Sequence, residues 1–395
     1  MIDRTIEPVL KDLVAKYPVV TLTGPRQSGK TTLCRKVFPD MPYANLESPD
    51  TRAFAATDPR GFLAAYPAGV IIDEIQRVPD LVSYIQVIVD ERKVPGQFIL
   101  TGSRQFEVMD AVDQALAGRT ALLKLLPFSI AEVRGATLPE SIDLLLLTGF
   151  YPRIHDQGLN PTQALGDYYE TYVERDIRQL ASIRDLGLFQ KFVRLCAGRI
   201  GQIVNLQGLA GDAGVSHTTA RAWITLLEAS YVLFLLKPWY CNLSKRLIKS
   251  PKLYFYDVGL AAWLLGMESE LHVSRDPLRG SLLENLAVAE VIKYRFNRGR
   301  KNAVTFYRYS RGNEVDMILE SGRLVFPVEV KAGATIVSDF FKGINHLSRV
   351  LGGLPCGGGL LYGGPEIRRQ GSFRVYPITG IDEMLTGLEC DGFEF

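Results

Sequence analysis

Gly24-Pro25-Arg26-Gln27-Ser28-Gly29-Lys30-Thr31 is a run of residue types suited to holding phosphate. It fits G-x-x-x-x-G-K-[ST] without a gap, and Thr32 follows directly. The glycines allow a backbone tight enough for successive N–H groups to surround an anion, and a helix beginning after the loop adds its N-terminal dipole. Lys30 is placed to reach the β- and γ-phosphates of a nucleoside triphosphate, and the Thr31 hydroxyl to ligate Mg²⁺. Downstream, Val70-Ile71-Ile72-Asp73-Glu74 is an apolar run ending in two carboxylates. Asp73 suits holding Mg²⁺ through its water shell, and Glu74 suits orienting or deprotonating an attacking water. A chance glycine-rich match and a solvated acidic turn are the plain alternatives. Both motifs in this order point instead to ATP bound with Mg²⁺ and hydrolysed.

Two further polar residues complete this expectation. Gln97-Phe98-Ile99-Leu100-Thr101-Gly102-Ser103 reads as a short buried strand ending in polar groups, with Ser103 the candidate γ-phosphate sensor and Thr101 and Arg104 behind it. The alternative is an ordinary strand-to-loop turn. Arg119, after Leu116-Ala117-Gly118, suits an arginine finger reaching a neighbouring subunit's nucleotide, or a helix-terminal charge complementing the dipole.

A different chemistry is spelled near the C-terminus. Glu314-Val315-Asp316 and Val328-Glu329-Val330-Lys331 lie on two successive strands, and Glu284 lies on a helix that Ser281 is expected to cap. Asp316, Glu329 and Lys331 match the spacing of the restriction-endonuclease-like core, PD-(D/E)xK. There two carboxylates hold Mg²⁺ and the lysine positions the hydrolytic water. Alternation puts Glu329 and Lys331 on one strand face. Glu284, Asp316 and Glu329 are the candidate metal ligands. A short E-x-K on a solvated strand is the alternative, and no proline precedes Asp316. Lys293, Arg295, Arg298, Arg300, Lys301, Arg308 and Arg311 cluster nearby as a track for a phosphate backbone, or as a solvated helix end and loop.

These residues need elements to position them. Tyr17 to Thr23, Val70 to Asp73 and Phe98 to Gly102 read as buried strands alternating with helices, hence an α/β parallel-sheet ATPase domain over 1–155. From 156 to 275 the pattern turns helical. Leu206 to Ile224 reads as a helix, a Gly-Val-Ser turn and a second helix capped by Ser216, with Ala220, Trp223, Ile224 and Leu227 facing inward. Tyr231 to Leu236 and Leu253 to Asp257 follow as a hairpin, making this region winged-helix-like. His217, Thr218, Thr219 and Arg221 face outward, and Lys237, Lys245, Arg246, Lys249 and Lys252 supply a basic connector for phosphate contacts. Residues 276–395 carry an α-β-β-β-α-β order.

Composition narrows the class. Lysine plus arginine number 45 against 43 acids, a net charge of +2, so any nucleic-acid surface must be local. No apolar run is long enough to span a bilayer. Five scattered cysteines without a C-x-x-C pair read as reduced thiols, without a zinc site, in a cytoplasmic chain.

Several stretches together resemble the prokaryotic family of AAA-type ATPases with a C-terminal domain of unknown function. They include Thr23 to Thr32, Asp73-Glu74-Ile75-Gln76, Leu100 to Ser103, Leu116 to Arg119 and Gly149-Phe150-Tyr151-Pro152. Tyr172 to Ile177 and Lys249 to Leu260 extend the likeness along nearly the whole chain. The resemblance implies an N-terminal ATPase domain, a winged-helix-like middle and a nuclease-like C-terminal domain, without a substrate. Three readings follow. The first is a Mg²⁺-ATPase driving conformational change on nucleic acid, DNA ahead of RNA, with the C-terminal nuclease-like core binding or cutting it, as a homo-oligomer with a ring as one form. The second is an ATP-driven switch that recruits a protein partner and keeps an inert nuclease-like core. The third is a metal-dependent nuclease licensed by ATP.

Overall fold

The computed structural model describes residues 2–103, 115–177, 183, 185–239, 250–309 and 312–395, and of 174–177 the backbone alone. Arg104, Lys245, Arg246, Lys249, Arg311 and the side chains of Glu174, Arg175 and Asp176 therefore lie outside the described residues. The chain divides into two compact units. One comprises Met1–Phe128, Ala229–Tyr231 and Arg295–Lys301; the other comprises Ser129–Glu228, Val232–Tyr294 and Asn302–Phe395.

The first unit is built on five parallel strands: β1 (Val19–Thr23), β2 (Tyr43–Asn45), β3 (Val70–Asp73), β4 (Phe98–Gly102) and β5 (Thr120–Lys124). Their spatial order is β2-β3-β4-β1-β5. Phe98 of β4 is in register with Val19 of β1 on one side and with Val70 of β3 on the other. The strand leading to Ser103 thus lies between the two motif strands. Both faces of this sheet are covered, so alternate residues enter different cores. Val19, Val70, Ile72, Phe98 and Leu100 join a core with the helix Leu81–Arg92, while Val20, Leu22, Ile71 and Ile99 join one with Leu10 and Leu33. This is why the strands read as continuous apolar runs.

The second unit begins with helices and ends in an eight-stranded mixed sheet. The helices Leu186–Ala197, Leu206–Ala213 and His217–Ala229 precede a hairpin of β6 (Leu233–Pro238) and β7 (Lys252–Phe255). Ser216 Oγ accepts the Thr219 N–H at 3.0 Å, the cap the sequence calls for, and Ala220, Trp223, Ile224 and Leu227 are buried. After the helix Arg279–Phe296 come β8 (Thr305–Arg308), β9 (Glu314–Ser321) and β10 (Leu324–Lys331). The helix Lys342–Leu351, β11 (Gly358–Tyr362), β12 (Arg368–Gln370) and β13 (Phe373–Pro377) follow. The sheet order is β12-β13-β11-β10-β9-β8-β6-β7. β9 runs antiparallel to β8 and β10, while β11 is parallel to β10. The β6–β7 hairpin joins this sheet through β6, which pairs parallel with β8 at Lys237↔Thr305.

One expected cap is displaced. Ser281 lies inside the helix Arg279–Phe296. Asp276, five residues upstream, makes the entry: its Oδ1 accepts the Leu278 N–H at 2.7 Å and its carbonyl accepts the Arg279 N–H at 3.0 Å. An upstream Asp therefore supplies the turn the Ser was expected to make, and Glu284 is free for another role.

Candidate functional site

The loop from Gly24 to Thr32 joins β1 to the helix Lys30–Val37, and it can do so only because its glycines permit close approach. A Cβ on Gly24 would lie 2.0 Å from the Leu125 carbonyl oxygen. Gly29 at φ +91° and Gln27 at φ +60° turn the chain before the helix starts. Arg4 fastens the loop from below, its Nη1 donating to Ser28 O and its Nη2 to Leu126 O, each at 2.7 Å. Lys30 is 6% exposed and donates to Gly24 O at 2.9 Å and Pro25 O at 2.7 Å. Burial lowers its pKa to about 8, against the pull of Glu74 and Asp73. Ser28 Oγ is buried without a hydrogen-bond partner among the described residues. A buried ammonium bonded to two carbonyls, beside a hydroxyl without a partner among the described residues and a glycine cradle, fits an anionic group with phosphate oxygens.

The carboxylates stand at the C-terminal edge of the sheet. Asp73 Oδ2 accepts from Thr31 Oγ1 at 2.8 Å and from Tyr43 OH at 2.7 Å, and its Oδ1 accepts from Thr101 Oγ1. Thr31 and Asp73 are thus adjacent oxygen donors, the pair Mg²⁺ would need. Glu74 has left β3 and sits at φ +58°, which turns its side chain off the strand line. Glu74 Oε2 accepts from Gln76 Nε2 and, at 3.0 Å, from Ser103 Oγ. The structure therefore brings Lys30, Thr31, Asp73, Glu74 and Ser103 together. Arg26 donates to Glu47 Oε1 at 3.1 Å, and Arg77 donates to both oxygens of the same carboxylate.

Arg119 is not part of this group. It lies in a turn before β5, and its guanidinium grips the Asp90 carboxylate through Nε at 2.5 Å and Nη2 at 2.9 Å. Tyr43, Arg4 and Glu47 are neighbours of this group that sequence reasoning missed. Tyr43 begins a three-residue strand with no motif of its own; only its place beside β3 brings it to Asp73.

The second constellation lies on the mixed sheet. Asp316 on β9 and Glu329 and Lys331 on β10 meet as expected: Lys331 Nζ donates to Glu329 Oε2 at 2.5 Å and approaches Asp316 Oδ2 at 3.4 Å. The Val330 N–H donates to Asp316 Oδ2 at 2.8 Å. Oxygens of Glu284, Glu314 and Asp316 lie within 4.8 Å of one another. Lys252, expected on an exposed basic connector, is instead 1% exposed, with its Nζ 2.7 Å from Glu284 Oε1 and bonded to Glu314 Oε1. Burial works against its charge, but Glu284, Asp316 and Glu314 outweigh burial and raise its pKa. Burial and Asp316 raise the pKa of Glu329, opposed by Lys331. The basic cluster also disperses: Lys293 and Arg295 are buried, and Arg308 pairs with Glu314.

Comparison with known proteins gives three family matches along the chain. Residues 16–134 match an AAA domain. Residues 139–271 and 279–381 match domains of unknown function, DUF8612 and DUF4143. An uncharacterized protein of Mycobacterium tuberculosis is 30% identical over 329 residues, covering 82% of this chain and 73% of that protein; one of Mycobacterium bovis matches equally. Among solved structures, a Walker-type ATPase of Pyrococcus abyssi is 16% identical, covering 67% of this chain and 96% of that one at a TM-score of 0.43. No described helix is long and apolar enough to cross a membrane.

Proposed function

Because the chain belongs to the same family as these mycobacterial proteins, with an AAA-type P-loop ATPase domain over residues 16–134, we propose that it is a Mg²⁺-dependent ATPase that couples hydrolysis to conformational change. One observation carries this reading. Lys30, Thr31, Asp73, Glu74 and Ser103 come from three separate segments and converge at one edge of the parallel sheet.

In this reading the backbone from Gly24 to Thr32 wraps the phosphates, and the Lys30 ammonium exchanges its carbonyl partners for phosphate oxygens. Thr31 and Asp73 hold Mg²⁺, which when bound neutralises charge on the phosphates. Glu74 orients the attacking water once Ser103 and Gln76 release it, and Ser103 then reports the γ-phosphate. Arg119 serves as a finger only by leaving Asp90 for a neighbouring subunit's nucleotide.

The partner in this reading is nucleic acid, DNA ahead of RNA. Its support is the capped helix His217–Ala229, which exposes His217, Thr218 and Arg221, and the exposed Lys237 at the foot of the hairpin. A second reading, a switch that recruits a protein and keeps an inert nuclease-like core, is favoured by Lys252 among the carboxylates of the mixed sheet.

The test is steady-state ATP hydrolysis with and without duplex and single-stranded DNA across a salt series. Turnover should vanish in Lys30→Ala, and DNA should stimulate the wild type less as salt rises, because each phosphate contact adds about one to the salt slope. Turnover indifferent to DNA would reject the nucleic-acid reading in favour of a protein partner. Undiminished turnover in Lys30→Ala would reject the ATPase assignment.

A further inference from the structure

The carboxylate pocket of the mixed sheet has the ligand types of a divalent-metal site, but each of its carboxylates already has a cationic side chain as partner. Glu284 Oε1 accepts from Lys252 Nζ at 2.7 Å and from Tyr254 OH. Glu314 pairs with Lys252 through Oε1 and with Arg308 through Oε2 at 2.9 Å. Asp316 and Glu329 share Lys331. Among the described residues, Glu284, Glu314, Asp316 and Glu329 thus face Lys252, Lys331 and Arg308.

We infer that Lys252 is the resident cation of this pocket: its ammonium holds the position a divalent ion would need, and the pocket is a socket that locks the β6–β7 hairpin to the C-terminal sheet. The inference is independent of the ATPase reading.

Two features argue that the lysine stays. Its backbone is held on both sides, by Leu236 of β6 and by a bridge to Ile203. Its side chain is 1% exposed and lies over the Phe306 ring, the ammonium 5.4 Å from the centroid. To leave the carboxylates, the ammonium would have to enter apolar packing unpaired, at the cost of its hydrogen bonds and much of its solvation. A divalent ion bridging Glu284 and Glu314 would meet the ammonium at contact distance, where two positive charges strongly repel. Mg²⁺ in particular demands near-octahedral oxygen ligands and retained waters. Here a cation of lower charge and tetrahedral donors takes that space. The residues therefore do not fit a catalytic metal. They fit a clasp, with Lys252 from the 139–271 region and its carboxylates from the 279–381 region.

The experiment titrates Mn²⁺ into the full-length, nucleotide-free protein and counts bound ions by electron paramagnetic resonance, with folding of each variant checked by circular dichroism. Wild type and Asp316→Asn should bind the same number of ions. Lys252→Met should gain one, and the gain should disappear in the double variant with Asp316→Asn. In parallel, the wild type should show no Mn²⁺-dependent cutting of duplex DNA that Asp316→Asn removes. An ion or a cutting activity that the wild type has and Asp316→Asn lacks would overturn the inference. So would a folded Lys252→Met that gains no ion. If Lys252→Met fails to fold, the wild-type comparison with Asp316→Asn still decides.

Discussion

Lys30 shows how a single residue is poised by its surroundings. Its ammonium is buried against two carbonyls, and burial brings its pKa to about 8. Phosphate oxygens would favour the charged form and raise that pKa. Binding ATP should therefore take up a proton at pH 8 to 9, and affinity should weaken as pH rises through about 8. Calorimetry in two buffers of different ionisation heat measures the uptake, and Lys30→Met should abolish it. The same shift carries a stability sign. A folded pKa below the unfolded value means that the unfolded chain holds the proton more tightly. This residue's contribution is full above about 10.5 and lost as pH falls through about 8. Glu74 carries the complementary lesson. Its place at the sheet edge was legible from position after an apolar strand, but Ser103 as its holder depends on the neighbouring β4.

At the scale of elements, the phosphate loop tolerates little change because sheet and loop approach so closely. Gly24→Ala would drive a methyl into the carbonyl of Leu125, a residue tied to β1 by its N–H, which donates to Thr23 O at 2.8 Å. The strands must then shift, a change that costs about 1–3 kcal/mol for overpacked sites. A lowered thermal midpoint together with weakened ATP binding is the expected outcome, read by calorimetry; a variant that melts and binds like wild type would show that the loop can relax. Helices were less legible than strands. Ser281 and Glu284 have capping-box spacing, yet Asp276 starts the helix and Glu284 turns to Lys252 and Tyr254. A capping pattern states that a turn is feasible; competition with an upstream Asp decides where it occurs.

For the whole molecule, the open matter is assembly. Arg119 is held by Asp90 within its own chain, a partly exposed pair that water and salt can loosen. If it acts across a subunit boundary, Arg119→Ala should keep nucleotide binding and lose turnover, and ATP should raise the mass seen by light scattering. Unchanged turnover would assign Arg119 to the Asp90 pair alone. The chain path also crosses the units: Ala229–Tyr231 and Arg295–Lys301 join the first unit, where Tyr231 OH meets Thr23 Oγ1 at 2.8 Å.

The sequence by itself determined the phosphate loop, the acidic pair, the buried strands that carry them and the order of elements around Asp316 and Glu329. Those features are local: each depends on glycine geometry, on two- or 3.6-residue periodicity, or on residue types a few positions apart. Only the tertiary structure decided that Tyr43 reaches Asp73, that the β6–β7 hairpin joins the C-terminal sheet through β8, and that Lys252 is buried among carboxylates. Such partners are distant in sequence, and a lysine in a basic stretch looks solvated until the fold places anions around it. Charge pairing across a core follows from which elements become neighbours, and no local pattern encodes that adjacency.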